Sequence, residues 1–358
     1  MSKQELMFTE AINQAMLIAM EQSDDVLCYG LGVDDPLRIF QTTKGLVEKF
    51  PERVFDMPTA ENGMTGIGVG AALAGMRPVM VHQRLDFFLL AFDQLINSAA
   101  KWHYMFNGQR CVPMTIRLII GRGWGQGPTH AQNLHALFAH IPGLKVVMPT
   151  TPQDAKQMLL ESIFDNNPVV FLEHRWLHNQ TGLVEENHSL NEGNYLPMHK
   201  ARIVEEGTDI TIVSMSYLTV EAMRAIEALK QQGINAELVD LRSIKPIDWS
   251  TIEKSVTKTG RLLVLDTGAT TGSVAGDIVA HISENKFSAL KTAPKRLAMP
   301  DIPEPTSYGL TKGYYFGAKE IAEHAHVIVK NIEVVDLYQG LIREGHHDVP
   351  GEYFKGPF

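Results

Sequence analysis

The sequence is poor in cysteine, in net positive charge and in long apolar runs. Only Cys28 and Cys111 occur in 358 residues, which excludes a disulfide-rich secreted scaffold and predicts a reduced, cytoplasmic protein. Acidic residues outnumber basic ones by 41 to 32, so the net charge of −9 favours neither nucleic acid nor an anionic membrane as partner. No apolar run approaches the roughly 20 residues that span a bilayer, and the polar start carries no signal-peptide pattern.

Several signatures of nucleotide, hydrolase and metal sites are missing as well. Neither a G-x-G-x-x-G fingerprint after the first predicted strand nor a P-loop is present, which argues against a Rossmann cofactor or nucleotide site. There is no G-x-S-x-G elbow of the kind that serine hydrolases use. Histidines are frequent in the first half but lack the spacing and matching acids of a metal cluster: His82, His103, His130, His135 and His140.

What remains is the pattern of a globular α/β protein. Hydrophobic residues make up 44% of the chain, and apolar strand-like runs alternate with segments of helical periodicity. This alternation predicts mostly parallel sheets covered by helices on both faces, and the length favours two domains. Helical spacing predicts helices at 8–22 and 89–106 and near 42–49, 218–231 and 317–330, and the run 168–172 predicts a strand. Thr9 and Thr151 are the predicted caps of two helices. We predict a first domain at 1–180, a linker at 181–204, a smaller α/β domain at 205–332 and an extended tail at 333–358.

The most distinctive stretch joins one carboxylate to a glycine-rich segment. Glu61 stands just before the segment 63–75, and strand-like runs flank both at 54–56 and 78–81. The spacing fits one helix, although each glycine inside a helix costs roughly 1 kcal/mol relative to alanine. Gly63, Gly66, Gly68 and Gly70 within this helix call for close approach of another backbone or of a ligand. Glu61 therefore either complements the helix dipole or faces whatever docks at the helix start.

A second glycine cluster follows the strand predicted at 113–120. The segment 121–127 alternates glycine with Arg122, Trp124 and Gln126, and ligands of α/β sheets bind at such carboxyl ends of strands. A mobile surface loop without a ligand is the alternative interpretation. His130 follows the cluster and precedes a helix, which makes it a candidate general acid or base near pH 7.

Several runs resemble the β chain of the thiamine-diphosphate-dependent 2-oxoacid dehydrogenases, in the transketolase-like superfamily. The likeness covers roughly residues 8–330 and is more specific in the first half. The second half looks like the transketolase-type C-terminal domain. The matching runs are Phe55-Asp56-x-Pro-x-Ala60-Glu61-x-Gly63, Gly68-x-Gly70-Ala-Ala-x-Ala-Gly-x-Arg77-Pro78, Phe92-Asp93-Gln94-x-Ile-Asn97-x-Ala-Ala-Lys101, His130-x-Gln132 and Phe138-x-His140-x-Pro-Gly-Leu-Lys-Val-Val147.

The resemblance implies roles for particular residues. Glu61 matches the carboxylate that hydrogen-bonds N1′ of the thiamine aminopyrimidine, and so favours the imino tautomer that takes the C2 proton of the thiazolium. Phe87 matches the aromatic residue that stacks on the aminopyrimidine, although a core position is the simpler interpretation for this side chain and its neighbour. Gln83 and Asp86 line the same strand end. His130 matches the histidine beside the thiazolium, a candidate proton donor during acyl transfer.

The same resemblance implies partners and metals. The superfamily binds Mg²⁺ and the diphosphate with Gly-Asp-Gly and a later Asn, and this chain has no Gly-Asp-Gly. An α subunit is therefore expected to supply that site, in a heterotetramer of two α and two β chains with a β–β dimer contact. A lipoyl acyltransferase is the expected acyl acceptor. Asp165 and Asn167 fall where family members hold a structural potassium ion.

Departures from the family pattern bear on the substrate. The segment 30–33 lacks the carboxylates usual there, Val81 replaces a Glu, and Arg84 replaces a small residue. With His82, Arg84 is expected to add positive charge that suits a bulkier or anionic acceptor. Two alternatives to the 2-oxoacid dehydrogenase remain open. One is a split transketolase-like enzyme that gives a two-carbon unit to a sugar or other carbonyl acceptor; the other is a non-catalytic paralogue that scaffolds an α chain.

Overall fold

The computed structural model of the chain describes residues 2–35, 39–123, 126–186, 195–343, 345–351 and 353–354. Two large sheets and one two-stranded sheet organise these residues. In the described ranges, no helix is both long and apolar enough to cross a bilayer.

The first half alternates strands and helices, as the hydrophobic pattern predicts. The strands β5 and β7 defined below are buried along their whole length, because helices cover both faces of a parallel sheet. The elements are β1 (Lys3–Met7), α1 (Phe8–Gln22), β2 (Val26–Gly30), α2 (Leu46–Lys49), β3 (Val54–Asp56), α3 (Glu61–Leu73), β4 (Arg77–His82), α4 (Leu85–Phe88), α5 (Ala100–Met105), β5 (Thr115–Ile120), α6 (His135–His140), β6 (Lys145–Val147), α7 (Pro152–Phe164), β7 (Val169–His174) and β8 (Thr181–Glu185).

The second half repeats the alternation in a smaller unit. Its apolar runs give buried strands, and its helices carry one apolar face toward them. The elements are β9 (Arg202–Glu205), β10 (Ile210–Ser214), α8 (Tyr217–Gln231), β11 (Ala236–Asp240), β12 (Ser243–Lys245), α9 (Trp249–Thr259), β13 (Leu262–Ala269), α10 (Val274–Asn285), β14 (Lys295–Met299), α11 (Tyr308–Thr311) and α12 (Ala318–Lys330).

Strand order confirms the predicted α/β class with mostly parallel sheets. The first sheet runs β12-β6-β7-β5-β4-β2-β3, and every pairing in it is parallel except that of β12 with β6. The second sheet runs β14-β13-β10-β11-β9, with β9 as its antiparallel edge. The strands β1 and β8 form the antiparallel pair. Because β12 comes from the second half of the chain, the first sheet is completed by residues far along the sequence.

Sequence patterns predicted the start of α7 correctly and the start of α1 wrongly. Thr151 caps α7 as predicted, since its hydroxyl accepts the Asp154 N–H at 3.1 Å, with Pro152 as the first helical residue. The predicted cap Thr9 is wrong, because α1 already begins at Phe8 and the carboxylate of Glu10 accepts the Met7 N–H at 2.8 Å.

The continuous helix predicted at 89–106 is also wrong in detail. That stretch consists of a 3-10 turn at Leu89–Ala91, a π-helical segment at Gln94–Ala99 and then α5. Similarly, the helix predicted near 42–49 is the single turn α2, preceded by turns. Apolar spacing does not distinguish these helical types, because they differ in hydrogen-bond pattern rather than in the face that they bury.

The two halves are joined by an arginine that binds both of them. Arg242 is 1% exposed, and its Nε donates to the carboxylate of Asp154 at 2.9 Å. Its other nitrogens donate to backbone carbonyls of Leu196, Pro197 and Lys200. The predicted linker contains these carbonyls, the strand β8 and the start of β9, while its residues 187–194 lie outside the described part. The described linker is therefore bound to both halves.

The tail after α12 folds back onto the molecule. Its described part contains a 3-10 turn at Gln339–Leu341 and no strand. Arg343 is ion-paired with the buried Glu221 of α8, and Asp348, which is 3% exposed, pairs with Arg122 at 2.8 Å. The predicted extended tail is therefore packed against the second half and against the glycine loop 121–127. Its residues 344, 352 and 355–358 lie outside the described part.

The glycines of α3 have different surroundings. A Cβ on Gly68 would overlap the hydroxyl of Tyr29 and approach Met114 Cε at 2.7 Å. A Cβ on Gly66 would only touch Gln94, at 3.5 Å, and one on Gly63 would only touch Ala60. For Gly70, no described atom lies within 4 Å of the Cβ position. Among the glycines of α3, only Gly68 therefore has a steric reason to be glycine that the described residues supply.

We expect Gly68→Ala and Gly70→Ala to shift stability in opposite directions. The first overpacks the Tyr29 contact and should lower the free energy of unfolding by about 1–3 kcal/mol. The second removes helical glycine without a clash and should raise it by about 0.5–1 kcal/mol. Urea unfolding of the isolated chain measures both, and equal effects of the two changes would contradict the packing described for α3.

Candidate functional site

The carboxyl ends of neighbouring parallel strands meet at one edge of the first sheet. A cleft of about 250 Å³ lies there, and it brings together the loops that follow β2, β4 and β5. Three of the predicted site residues, Gln83, Phe87 and His130, lie in its wall. Residues 36–38 and 124–125 of these loops lie outside the described part. The lining residues are Asp35, Ile39, Phe40, Gln83, Arg84, Phe87, Gln126 and His130.

An aromatic contact forms one wall of the cleft. The rings of Phe87 and His130 meet edge to face, with centroids 5.2 Å apart and an interplanar angle of 88°. Phe87 is half-buried, while its neighbour Phe88 is fully buried against Phe92 and Phe138 in the core. The two phenylalanines therefore have separate roles, one in the core and one at the cleft. His130 is exposed, and its Nδ1 lies 2.9 Å from the Thr129 hydroxyl.

Asp86 lies behind this wall rather than in it. Its Oδ1 accepts a hydrogen bond from Gln132 Nε2 at 2.6 Å. Its Oδ2 is buried and has no hydrogen-bond partner among the described residues. Because a buried carboxylate oxygen without a donor is costly, this atom is suited to accept a hydrogen bond from a ligand.

Glu61 is the first residue of α3 and follows β3, two strands from β4 in the sheet. Neighbouring strands lie about 4.8 Å apart, so the two strand ends are separated by roughly 10 Å. Glu61 is 8% exposed, and its carboxylate makes no hydrogen bond or ion pair with any described residue. It is not one of the residues that line the cleft. The helix dipole favours an acidic residue at this position, and the open hydrogen-bonding capacity of the carboxylate also suits a ligand.

The described residues of the glycine loop 121–127 are held in place by contacts with the second half of the chain and the tail. Gly121 has φ +79°, and a Cβ there would lie 2.6 Å from the ring of His174. Arg122 is 1% exposed and donates to the carbonyl of Pro305 at 2.7 Å, besides its ion pair with Asp348. A Cβ on Gly127 would overlap the hydroxyl of Thr306. The second half and the tail therefore fix this loop. Trp124 and Gly125 lie outside the described residues.

Arg84 is the cationic residue of the cleft wall. It is 4% exposed, its Nη1 donates to the carbonyl of Gly121 at 2.9 Å, and its Nη2 donates to Gln126 Oε1. Burial lowers the pKa of Arg84 to about 10, against the opposing effects of Asp86 and Glu304, so the guanidinium stays charged at neutral pH.

His82, by contrast, adds no charge to the cleft, and that expectation is wrong. Its ring is fully buried, packs edge to face on Phe88 with centroids 5.1 Å apart, and has no hydrogen-bond partner among the described residues. Burial lowers the pKa of His82 to about 4, so the ring is neutral near pH 7.

Glu304 was not predicted as a site residue; it lies between β14 and α11, far along the sequence from the distinctive motifs. It is 6% exposed, and the hydroxyl of Tyr315 donates to its carboxylate. Burial raises the pKa of Glu304 to about 7, although Tyr315 and Arg122 lower it. Its approach to the glycine loop depends on tertiary packing, and no local sequence signal marks it.

Asp165 and Asn167 lie just before β7, at the opposite edge of the sheet from the cleft. Asp165 Oδ1 accepts from the backbone and side-chain nitrogens of Asn167 at 2.8 and 3.1 Å. Its Oδ2 is ion-paired with Lys145, and its carbonyl accepts from Arg77 at 3.1 Å. The potassium site at these residues stays a prediction. Among the described residues, no group of three or more His, Cys, Asp or Glu side chains could hold a metal ion.

Comparisons with known proteins place this geometry in context. The model of the transketolase pyrimidine binding domain matches residues 4–180, and that of the transketolase C-terminal domain matches residues 199–321. Acetoin:2,6-dichlorophenolindophenol oxidoreductase subunit beta of Cupriavidus necator is 40% identical over 82% of this chain and 85% of its own length. Pyruvate dehydrogenase E1 component subunit beta-1, mitochondrial, of Arabidopsis thaliana is 40% identical over 86% of this chain and 85% of its own length.

A solved structure, titled as a split-gene transketolase in an inactive beta4 tetramer, shares the fold. It is similar with a TM-score of 0.71 at 21% identity, covering 90% of this chain and 98% of that one. At this identity the likeness shows the fold alone. The two-domain transketolase-like architecture predicted from the sequence is confirmed.

We expect Glu304→Gln to change the pH dependence of stability. Burial raises the pKa of Glu304 in the folded protein to about 7, whereas the ordinary pKa of the carboxyl, expected in the unfolded chain, is 4.5. Stability contributed by the protonated form is therefore lost as pH rises from about 4.5 to about 7. The neutral amide avoids this loss, so the variant should gain up to about 3 kcal/mol relative to wild type between pH 5 and 8.

Urea unfolding of wild type and Glu304→Gln at about pH 5 and about pH 8 measures this difference in the free energy of unfolding. The exposed Glu333→Gln is the control and should show no such gain. Parallel pH profiles for wild type and Glu304→Gln would contradict the assignment of the raised pKa to Glu304.

Proposed function

The chain belongs to the family of pyruvate dehydrogenase E1 and acetoin oxidoreductase β subunits, and from this we propose that it is the β subunit of a thiamine-diphosphate-dependent 2-oxoacid dehydrogenase. The observation that carries the proposal is Glu61, a buried carboxylate at the start of α3 without a partner in the described part of the chain. The enzyme would decarboxylate a 2-oxoacid oxidatively and pass the acyl group to a lipoyl carrier.

The residues present fit the aminopyrimidine of the cofactor. That ring offers a nitrogen and an amino group for hydrogen bonding and two apolar faces. Glu61 and the buried Oδ2 of Asp86 are carboxylate oxygens without described donors, and Phe87 presents an aromatic ring. We propose that these three residues and Gln83 hold the ring. When bound, thiamine diphosphate supplies the electron sink for loss of carbon dioxide from a 2-oxoacid.

The chain's own residues then have distinct tasks. Glu61 would hydrogen-bond the N1′ nitrogen of the ring from its position at the start of α3. Phe87 covers one face of the ring and excludes water from it. His130 lies at the cleft mouth with Nδ1 paired to Thr129, which leaves Nε2 to donate a proton toward the cleft.

The partner and assembly are proposed from the missing diphosphate motif. An α subunit would hold Mg²⁺ and the diphosphate, in a heterotetramer with a β–β contact, and a lipoyl acyltransferase would accept the acyl group.

We retain the division into an aminopyrimidine-binding domain at 1–180, a linker at 181–204, a domain at 205–332 and a tail. A potassium ion at Asp165 and Asn167 would lie beside Lys145 and Arg77. The scarcity of cysteine supports a reducing, cytoplasmic location.

We expect Glu61→Gln to abolish turnover without preventing assembly. The chain is co-purified with its α-type partner and titrated calorimetrically with thiamine diphosphate and Mg²⁺. Reduction of an artificial electron acceptor is then followed with a panel of 2-oxoacids. Because the amide cannot exchange a proton at the cofactor ring, the rate should fall by about 100-fold or more. The exposed Glu52→Gln should behave as wild type.

The outcomes separate the competing functions. Cofactor binding with turnover that depends on Glu61 supports the dehydrogenase. Binding without turnover of any 2-oxoacid, together with transfer of a two-carbon unit to a sugar aldehyde, would favour the split transketolase. Failure to bind the cofactor in an assembled complex would leave the scaffold function.

A further inference from the structure

Three buried arginines in this protein form ion pairs with carboxylates, and Arg84 at the cleft differs from these three. Arg117 pairs with Glu173 at 2.6 Å, Arg122 with Asp348 at 2.8 Å and Arg242 with Asp154 at 2.9 Å. Arg84 is 4% exposed, yet no described carboxylate lies within ion-pairing distance of its guanidinium. Its two hydrogen-bond partners, the Gly121 carbonyl and the Gln126 amide, are both neutral.

Asp86 and Glu304 are the carboxyl groups whose charge acts on Arg84, but neither forms an ion pair with it. Asp86 accepts from Gln132 through Oδ1, while its Oδ2 has no described partner, and Glu304 accepts from Tyr315. Asp35, in the wall of the same cleft, lies 3.4 Å from Gln83 Nε2 through its Oδ2. The positive charge of Arg84 therefore faces the cleft without a dedicated counterion.

The surrounding loop keeps the guanidinium in this position. A Cβ on Gly123 would lie 2.9 Å from Arg84 Nη2 and would overlap Gln126 Oε1. Of the five N–H donors of a guanidinium, the protein groups described take two, so donors remain for a ligand in the fork geometry that suits carboxylates and phosphates. Because a buried charge without an ion-paired partner is costly, the guanidinium is suited to bind an anionic group of a ligand.

The anion is not the carboxylate that leaves as carbon dioxide. A strong ion pair with that carboxylate would stabilise the substrate more than the transition state, in which its charge is being lost, and would slow decarboxylation. Arg84 is therefore suited to an anionic group that stays on the reactant throughout the reaction.

We propose that Arg84 determines specificity for a substrate that carries a second anionic group, a carboxylate or a phosphate, besides the 2-oxoacid carboxylate that is lost. This inference rests on the proposed function. The group lies on the 2-oxoacid donor or on the acceptor. In the donor case, the 2-oxoacid and water give carbon dioxide and an acid that is one carbon shorter. The two electrons and two protons released pass to the artificial electron acceptor. In the acceptor case, the donor loses carbon dioxide and bonds its carbonyl carbon to the aldehyde carbon, whose oxygen takes a proton.

The test compares matched reactants on the assembled α/β enzyme. In the donor arm, 2-oxoglutarate is compared with 5-methyl-2-oxohexanoate, in which an isopropyl group replaces the distal carboxylate. In the acceptor arm, glyceraldehyde 3-phosphate is compared with glyceraldehyde, with pyruvate as donor. We expect wild type to prefer the charged member of one pair by about 10- to 100-fold in kcat/KM, and Arg84→Met to lose that preference. Arg84→Lys should retain part of it, and the exposed Arg110→Met should retain all of it.

A binding measurement separates this inference from the proposed function. Succinate and inorganic phosphate are used as probes of thermal stability in wild type and Arg84→Met, with no turnover required. A rise in Tm with either probe that the variant lacks supports the anion site even if no 2-oxoacid is turned over. The inference is overturned if neither pair is discriminated by more than twofold in an active enzyme, or if Arg84→Met keeps the preference. In an inactive enzyme, equal Tm shifts in wild type and variant overturn it.

Discussion

Parallel pairing of β3, β2, β4 and β5 is the constraint on which the site depends. Because these strands run in one direction, the loops after them emerge at the same sheet edge. Gln83, Phe87 and His130, which come from two of these loops, therefore share one cleft. Glu61 lies at the same ends of the strands, after β3, which is the last strand of the sheet. An aromatic ligand bound there would therefore contact residues that are distant in sequence.

The distribution of buried charge distinguishes support from function. Arg117, Arg122 and Arg242 are neutralised within the chain, and they hold the sheet, the glycine loop and the two halves together. At the sheet edge, by contrast, Glu61 and Arg84 are buried without a described counterion. Isolated charges of this kind are costly in a folded chain, and we therefore propose that a ligand completes them.

Sequence patterns predicted the elements whose burial is complete. The mostly apolar runs of β5 and β7 indicated interior strands, and the helices with one apolar face, such as α8 and α12, were equally clear. The strands β1, β8, β9 and β12 escaped detection because they are short, lie at sheet edges and pair with distant segments. Their stability comes from the partner strand rather than from a pattern of their own.

By itself, the sequence determined the α/β class, the family resemblance and the residues that face the cofactor in that family, since these depend on periodicity and on motifs a few residues long. Only the tertiary structure decided which buried side chains are charged and which of them are ion-paired. It showed that His82 is neutral in the core, that Arg84 is charged and without a carboxylate partner, and that Arg122 is held by Asp348, 226 residues away. Protonation and ion pairing depend on what surrounds a group in space, and the surroundings of these groups come from both ends of the chain.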